Sequence, residues 1–201
     1  MNGEDFPSIL DLPDGHEKTA ALASWLQHLF PAGAEVPVLV GGAAAEIYSG
    51  GSYTSGDLDF IGEVTPAVAR ELGSAGFVRR GRHWVHEEGE VFFEFPGAAL
   101  DPLERPVSVA IGKWTVRALS PEDILVDRLA AWEFWSSAAD GIAAFRIWQS
   151  LSATLDRAHL ERAAGAKGLF PALRRLQQLA EACSGCEPEE QELAEWARRR
   201  P

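Results

Sequence analysis

The tetrapeptide Ser120-Pro121-Glu122-Asp123 divides this chain into two kinds of sequence and so limits the folds open to it. A serine cap, a proline in the first turn and two acids at the positive end of the helix dipole make a strong helix start. Before it, short apolar runs alternate with helical patterns. After it, helical patterns follow one another over approximately 121–138, 140–152, 157–164, 169–183 and 187–199. No internal repeat and no low-complexity linker intervenes. The pattern predicts an α/β (α+β) fold: a core over 1–119 with a mixed sheet flanked by helices, and a C-terminal helical region over 120–201 packed on it.

Within the first part, Leu22, Leu26 and Leu29 predict a helix from Ala20 to Phe30, stopped by Pro31 and Gly33. Val36 to Val40 reads as a short buried strand. Gly41-Gly42 follows directly, with a helix from Ala43 to Tyr48. The Gly- and Ser-rich stretch 49–56 reads as a loop before a second strand from Asp57 to Ile61. Thr65 and Pro66 start a helix running to Leu72. Two hairpins are expected next, His83–His86 with Val91–Phe95 and Val107–Ile111 with Trp114–Ala118.

The second strand carries Asp57-Leu58-Asp59, and residues two apart on a strand share a face. Two carboxylates that close repel each other, and a divalent cation that prefers oxygen ligands removes the repulsion. Mg²⁺ typically combines one or two protein carboxylates with substrate phosphates and water, so the pair points to phosphate chemistry. Glu94 interrupts the aromatic run Phe92-Phe93-Glu94-Phe95, where a buried carboxylate needs a partner such as a metal shared with the aspartates; otherwise it faces solvent or pairs with one of Arg79, Arg80 and Arg82. Gly41 and Gly42 either let a phosphate approach the backbone at a helix N-terminus or serve a tight turn. Arg128 falls within the apolar arc of positions 124, 125, 129, 131, 132 and 135, where a guanidinium calls for a carboxylate or phosphate partner.

Gly41-Gly42, a loop, Asp57-Leu58-Asp59 between apolar residues and the lone Glu94 on a later strand together resemble the nucleotidyltransferase superfamily typified by DNA polymerase beta. The likeness is to small bacterial nucleotidyltransferases of the AbiEii type and covers roughly residues 36 to 150. It implies the nucleotidyltransferase fold, with Asp57, Asp59 and Glu94 as the metal-binding and catalytic acids and Gly41 and Gly42 beside the nucleotide phosphates. Arg128, after Pro121-Glu122-Asp123, matches a basic position that is commonly lysine, and Asp140 corresponds to a later aspartate. The implied reaction moves a nucleoside monophosphate from an NTP to an RNA or protein hydroxyl with Mg²⁺ (or Mn²⁺), in a toxin–antitoxin or phage-defence setting. One departure stands out. Gly51-Ser52-Tyr53 occupies the place where such proteins often carry Gly-His-Arg, so a basic residue near the phosphates is missing. The alternative is a member without catalysis that acts as a nucleotide-binding or protein-interaction module, such as an antitoxin.

Charge and composition narrow the partners. Eighteen basic residues against thirty acidic ones give a formal charge of −12, which opposes non-specific attraction to nucleic acid. DNA is not an expected partner, and an RNA acceptor needs a local basic patch such as Arg79, Arg80 and Arg82. No run approaches a membrane span, and the start Met1-Asn2-Gly3-Glu4-Asp5 lacks the features of a leader, so the chain reads as cytoplasmic. Cys183 and Cys186 form a lone C-x-x-C, half of a zinc site. Cys183 continues the spacing of Leu169, Leu173, Leu176 and Ala180 and reads as a small core residue before a helix stop at Gly185. Trp132, Trp135 and Trp148 read as core, and Trp84 as the one tryptophan that could stack on a base.

Overall fold

The structure, a computed structural model, describes residues 5–183 and 190–198. Helices α1 (Phe6–Leu10) and α2 (His16–His28) precede β1 (Val38–Val40), which runs directly into α3 (Gly41–Tyr48). Next come β2 (Leu58–Ile61), α4 (Pro66–Ser74), β3 (Val78–Arg80), β4 (His83–His86), β5 (Val91–Gly97), β6 (Pro106–Ile111) and β7 (Trp114–Leu119). Then the chain is helical: α5 (Pro121–Trp135), α6 (Ala138–Leu151), α7 (Arg157–Ala166), α8 (Phe170–Ala182) and α9 (Glu190–Arg198). The fold is thus a mixed sheet with helices against it and a helical C-terminal part. Among the described residues no helix is long and apolar enough to cross a membrane.

The strands form one seven-stranded sheet in the order β3-β4-β5-β2-β1-β7-β6. β1 pairs antiparallel with β2 and parallel with β7, and β2 pairs parallel with β5. The antiparallel run β3-β4-β5 closes one end of the sheet and the β6–β7 hairpin the other. Gln27 of α2 ties its middle together. Its amide nitrogen donates to the carbonyls of Pro37 (2.9 Å) and Arg117 (2.7 Å), and its oxygen accepts from the Arg117 N–H (2.8 Å). One side chain thereby satisfies backbone groups on both sides of the β1–β7 junction. α3 joins the two parts of the chain, packing on β1 and β2 and also on α5 and α6.

Several local expectations are corrected by the structure. α2 begins four residues earlier than Ala20, because its first turn is polar and carries no apolar periodicity; Lys18 pairs there with Asp14 at 2.9 Å. β3 and α1 are additional elements that the sequence pattern does not mark: every residue of β3 is exposed, and α1 is too short to show a helical period. Asp57 lies in the bend just before β2 rather than in the strand. Trp135, the last residue of α5, is 77% exposed and not core; Trp132 and Trp148 are buried. Trp84 is buried within β4 and offers no face to a base. Cys183 closes α8 half-buried, while Gly185 and Cys186 lie outside the described residues.

Candidate functional site

The site grows from the junction between β1 and α3. Val40 is extended, and Gly41 turns the chain with φ +66°, so α3 starts immediately at the strand's end. Only glycine holds that conformation without strain. Space makes the same demand: a Cβ on Gly41 would stand 2.6 Å from Asp59 Oδ2, and one on Gly42 would collide with Ser55 Oγ and approach the Tyr53 hydroxyl. The glycine pair therefore brings the N-terminal turn of α3 against both β2 and the 49–56 loop.

Asp59 faces this turn because β2 buries Leu58 and Phe60 in the core, which leaves Asp59 on the opposite sheet face. β2 and β5 run parallel with Asp59 opposite Glu94, so the two carboxylates share that face. Burial first, then the Glu94 and Asp57 charges, push the Asp59 carboxyl up to about 6, against the opposing pull of Arg128 and Arg82. Two of the sequence-predicted acids, Glu94 and Asp57, thus bear electrostatically on the third, Asp59, and Asp57 is the most exposed of them.

Glu94 is not a bare ligand. One of its oxygens pairs with Arg82 Nε at 2.6 Å and the other meets His83 Nε2 at 3.1 Å; His83 is its register partner across β4 and β5. The arginine cluster singled out in the sequence supplies this partner through Arg82, whereas Arg80 pairs outward with Glu87.

Arg128 reaches the site from α5. Its Nη1 pairs with Asp140 of α6 at 2.5 Å and its Nη2 with Asp127 at 2.6 Å, leaving the buried Nε without a hydrogen-bond partner. Burial disfavours its charge, but Asp127, Asp140 and Tyr53 outweigh that effect and raise its pKa. Tyr53 lies near Gly42 and within electrostatic reach of Arg128; burial raises its pKa, and the Arg128 charge partly offsets the rise. The position that lacks the expected basic residue thus places a phenol against a guanidinium from another element.

Glu46 carried no sequence signal, since it sits inside the apolar helix Gly41–Tyr48. It is 2% exposed, and its carboxylate accepts the Ser55 N–H at 3.0 Å. Burial raises its pKa, opposed chiefly by the hydrogen bond from the Ser55 N–H. Glu46 fastens the 49–56 loop to α3 and so helps position both Tyr53 and Asp57.

The donor set of Asp57, Asp59 and Glu94 is all carboxylate oxygen, which suits Mg²⁺ or Mn²⁺. Asp59, held near 6 by burial and its acidic neighbours, is the position where a bound cation would relieve most repulsion. The fit holds for Asp57 and Asp59, while Glu94 joins only if it gives up Arg82. Among the described residues no three His, Cys, Asp or Glu side chains are gathered into a preformed cation cage. Comparison of the chain with models of protein families, with curated proteins and with solved structures found no match.

Proposed function

We propose that this chain is a Mg²⁺- or Mn²⁺-dependent nucleotidyltransferase that acts in the cytoplasm on an NTP and a hydroxyl acceptor from RNA or protein. The supporting observation is the convergence on Asp59: Gly41 at the helix start, the in-register Glu94 and the Asp57 charge all bear on that one carboxyl. The acceptor oxygen forms a bond to the α-phosphorus, the α–β phosphoanhydride bond breaks, and pyrophosphate leaves. A bound divalent cation supplies charge neutralisation for the attacking and leaving oxygens. Asp57 and Asp59 hold the cation. The free N–H groups at the α3 N-terminus face the phosphates, with no Cβ at 41 or 42 to keep them away. Glu94, once released from Arg82, takes the acceptor's proton. Arg128 adds the positive charge of its guanidinium beside the phosphates.

A second reading is favoured by the ion pairs themselves. Arg82 and His83 occupy Glu94, and two carboxylates occupy Arg128, as in a site that binds nucleotide or a protein partner without turnover. An antitoxin-like module would be built this way. Incubation with each labelled NTP, Mg²⁺ or Mn²⁺, and total RNA or lysate decides between them. Label transfer that Asp59→Asn abolishes supports the enzyme, and nucleotide binding or capture of one stoichiometric protein without transfer supports the module.

A further inference from the structure

Away from the Asp59 site, a cavity of about 140 Å³ lies where the segment Pro102-Leu103 and Arg105 meet α7, lined also by His159, Arg162 and Ala163. Its lining is cationic, with two guanidiniums, an imidazole and no carboxylate, in a chain of net charge −12. His159 is 2% exposed. Its Nε2 meets Asp123 Oδ1 at 2.8 Å, and the other Asp123 oxygen accepts from Ser120 Oγ (2.7 Å) and the Arg105 N–H (2.9 Å). That carboxylate orients the ring and assigns the Nε2 proton. The remaining ring nitrogen, Nδ1, is buried with no hydrogen-bond partner. Leaving such an atom unmet costs roughly 1–3 kcal/mol, so it calls for a ligand or an ordered water.

The two arginines differ. Arg105 is shared with Asp156, whose Oδ2 stands 3.3 Å from Nη1, while Arg162 makes no ion pair among the described residues. A guanidinium held beside a second one, with nothing to neutralise it, is a binding element for a tetrahedral oxyanion, which accepts from planar N–H forks. The cavity is too small for a nucleoside and large enough for one phosphate-sized ion.

We propose that Arg105, Arg162 and His159 form a second site, specific for a phosphate-type oxyanion. With the anion seated, the His159 ring bridges Asp123 at Nε2 and the anion at Nδ1. Arg162 supplies the principal charge and Arg105 exchanges Asp156 for the ligand. The same chemistry fits a free inorganic phosphate and the terminal phosphate of a nucleic acid.

Titration of the full chain with inorganic phosphate, read by ¹⁵N–¹H correlation of the His159 ring, tests the site. The expected result is a saturating shift of the His159 nitrogens, absent in a chloride titration of equal ionic strength, with affinity lowered roughly tenfold in Arg162→Gln. Arg162 is exposed, so that variant keeps the fold, and Arg105→Gln is a second variant expected to weaken binding less. A 5′-phosphorylated oligonucleotide and its unphosphorylated form distinguish the sources: the phosphorylated one acting at lower concentration than inorganic phosphate identifies a nucleic-acid end, and the reverse order identifies free phosphate. A His159 ring that phosphate moves no more than chloride does, or an Arg162→Gln titration matching wild type, overturns the proposal and leaves an ordered water as the partner of Nδ1.

Discussion

Gly41 and Asp59 are so close that a methyl group at position 41 would lie 2.6 Å from the Asp59 carboxylate oxygen. The contact joins the start of α3 to β2, and it makes the glycine a spacer as well as a turn. Gly41→Ala meets two penalties, the left-handed φ of +66° and the collision with Asp59. The expected loss is ~2–3 kcal/mol, with a lower melting temperature and a weaker NTP-dependent rise in it. A variant that melts like wild type would show that the β1–α3 junction relaxes easily.

The carboxylate pair should respond oppositely with and without a cation. In EDTA, Asp57→Asn and Asp59→Asn leave stability unchanged or slightly raised, because like charges are removed. With Mg²⁺ and NTP the order reverses: wild type gains about 2.7 kcal/mol at a hundredfold excess of ligand over Kd, and the variants lose that gain. Thermal melts in both buffers check this, and equal destabilisation of the variants in both would assign the aspartates a structural role.

The Asp59 carboxyl also sets a pH dependence in the metal-free protein. Its pKa is about 6 in the folded chain against an ordinary 3.8, so well below pH 3.8 both states hold the proton. Between about pH 4 and 6 the unfolded chain ionises first, and stability falls as pH rises through that window before levelling. The fall should be on the order of 1 kcal/mol after solvent screening and should vanish in Asp59→Asn. Urea unfolding midpoints from pH 4 to 7.5 in EDTA measure it.

Arg82→Ala tests whether Glu94 is blocked or merely parked. Arg82 is 63% exposed, so its loss should cost no more than ~1 kcal/mol. If Glu94 serves the cation, the variant binds Mn²⁺ more tightly than wild type by calorimetry. If the ion pair is the native end state, affinity for Mn²⁺ does not change.

Arg128 should matter twice. Arg128→Ala leaves Asp140 half-buried without its partner and should cost ~2–4 kcal/mol, most of it recovered in the Arg128→Ala/Asp140→Ala double variant. Arg128→Ala should also weaken nucleotide binding more than Arg79→Ala, because Arg79 is exposed and screened. Equal nucleotide affinities for the two variants would make Arg128 a purely structural residue.

The local signals in the sequence were reliable where neighbours along the chain decide the outcome. Ser120 does cap α5, accepting from the Asp123 N–H, and Thr65 caps α4 in the same way. The alternation in Leu58-Asp59-Phe60 set which side chain leaves the core, so an acid on the polar face of β2 was legible, whereas Phe92-Phe93-Glu94 has no alternation and the pairing of β5 decided where Glu94 faces. The Gly41-Gly42 turn was legible for the same reason, since chain direction there depends on backbone freedom alone.

What the tertiary structure decided is which of those residues meet. The parallel register of β2 with β5, which opposes Asp59 to Glu94, depends on long-range pairing that no local period encodes. Arg82 and His83 reach Glu94 only because β4 folds back on β5, and Arg128 meets Tyr53 and Asp140 only because α3, α5 and α6 pack together. Helical spacing could not separate the buried Trp132 from the exposed Trp135, because which positions of a helix are covered depends on the elements packed against it. Local backbone preference and burial pattern are written residue by residue; the partners of a charged group are chosen by packing, where the cost of burying it alone selects the arrangement that pairs it.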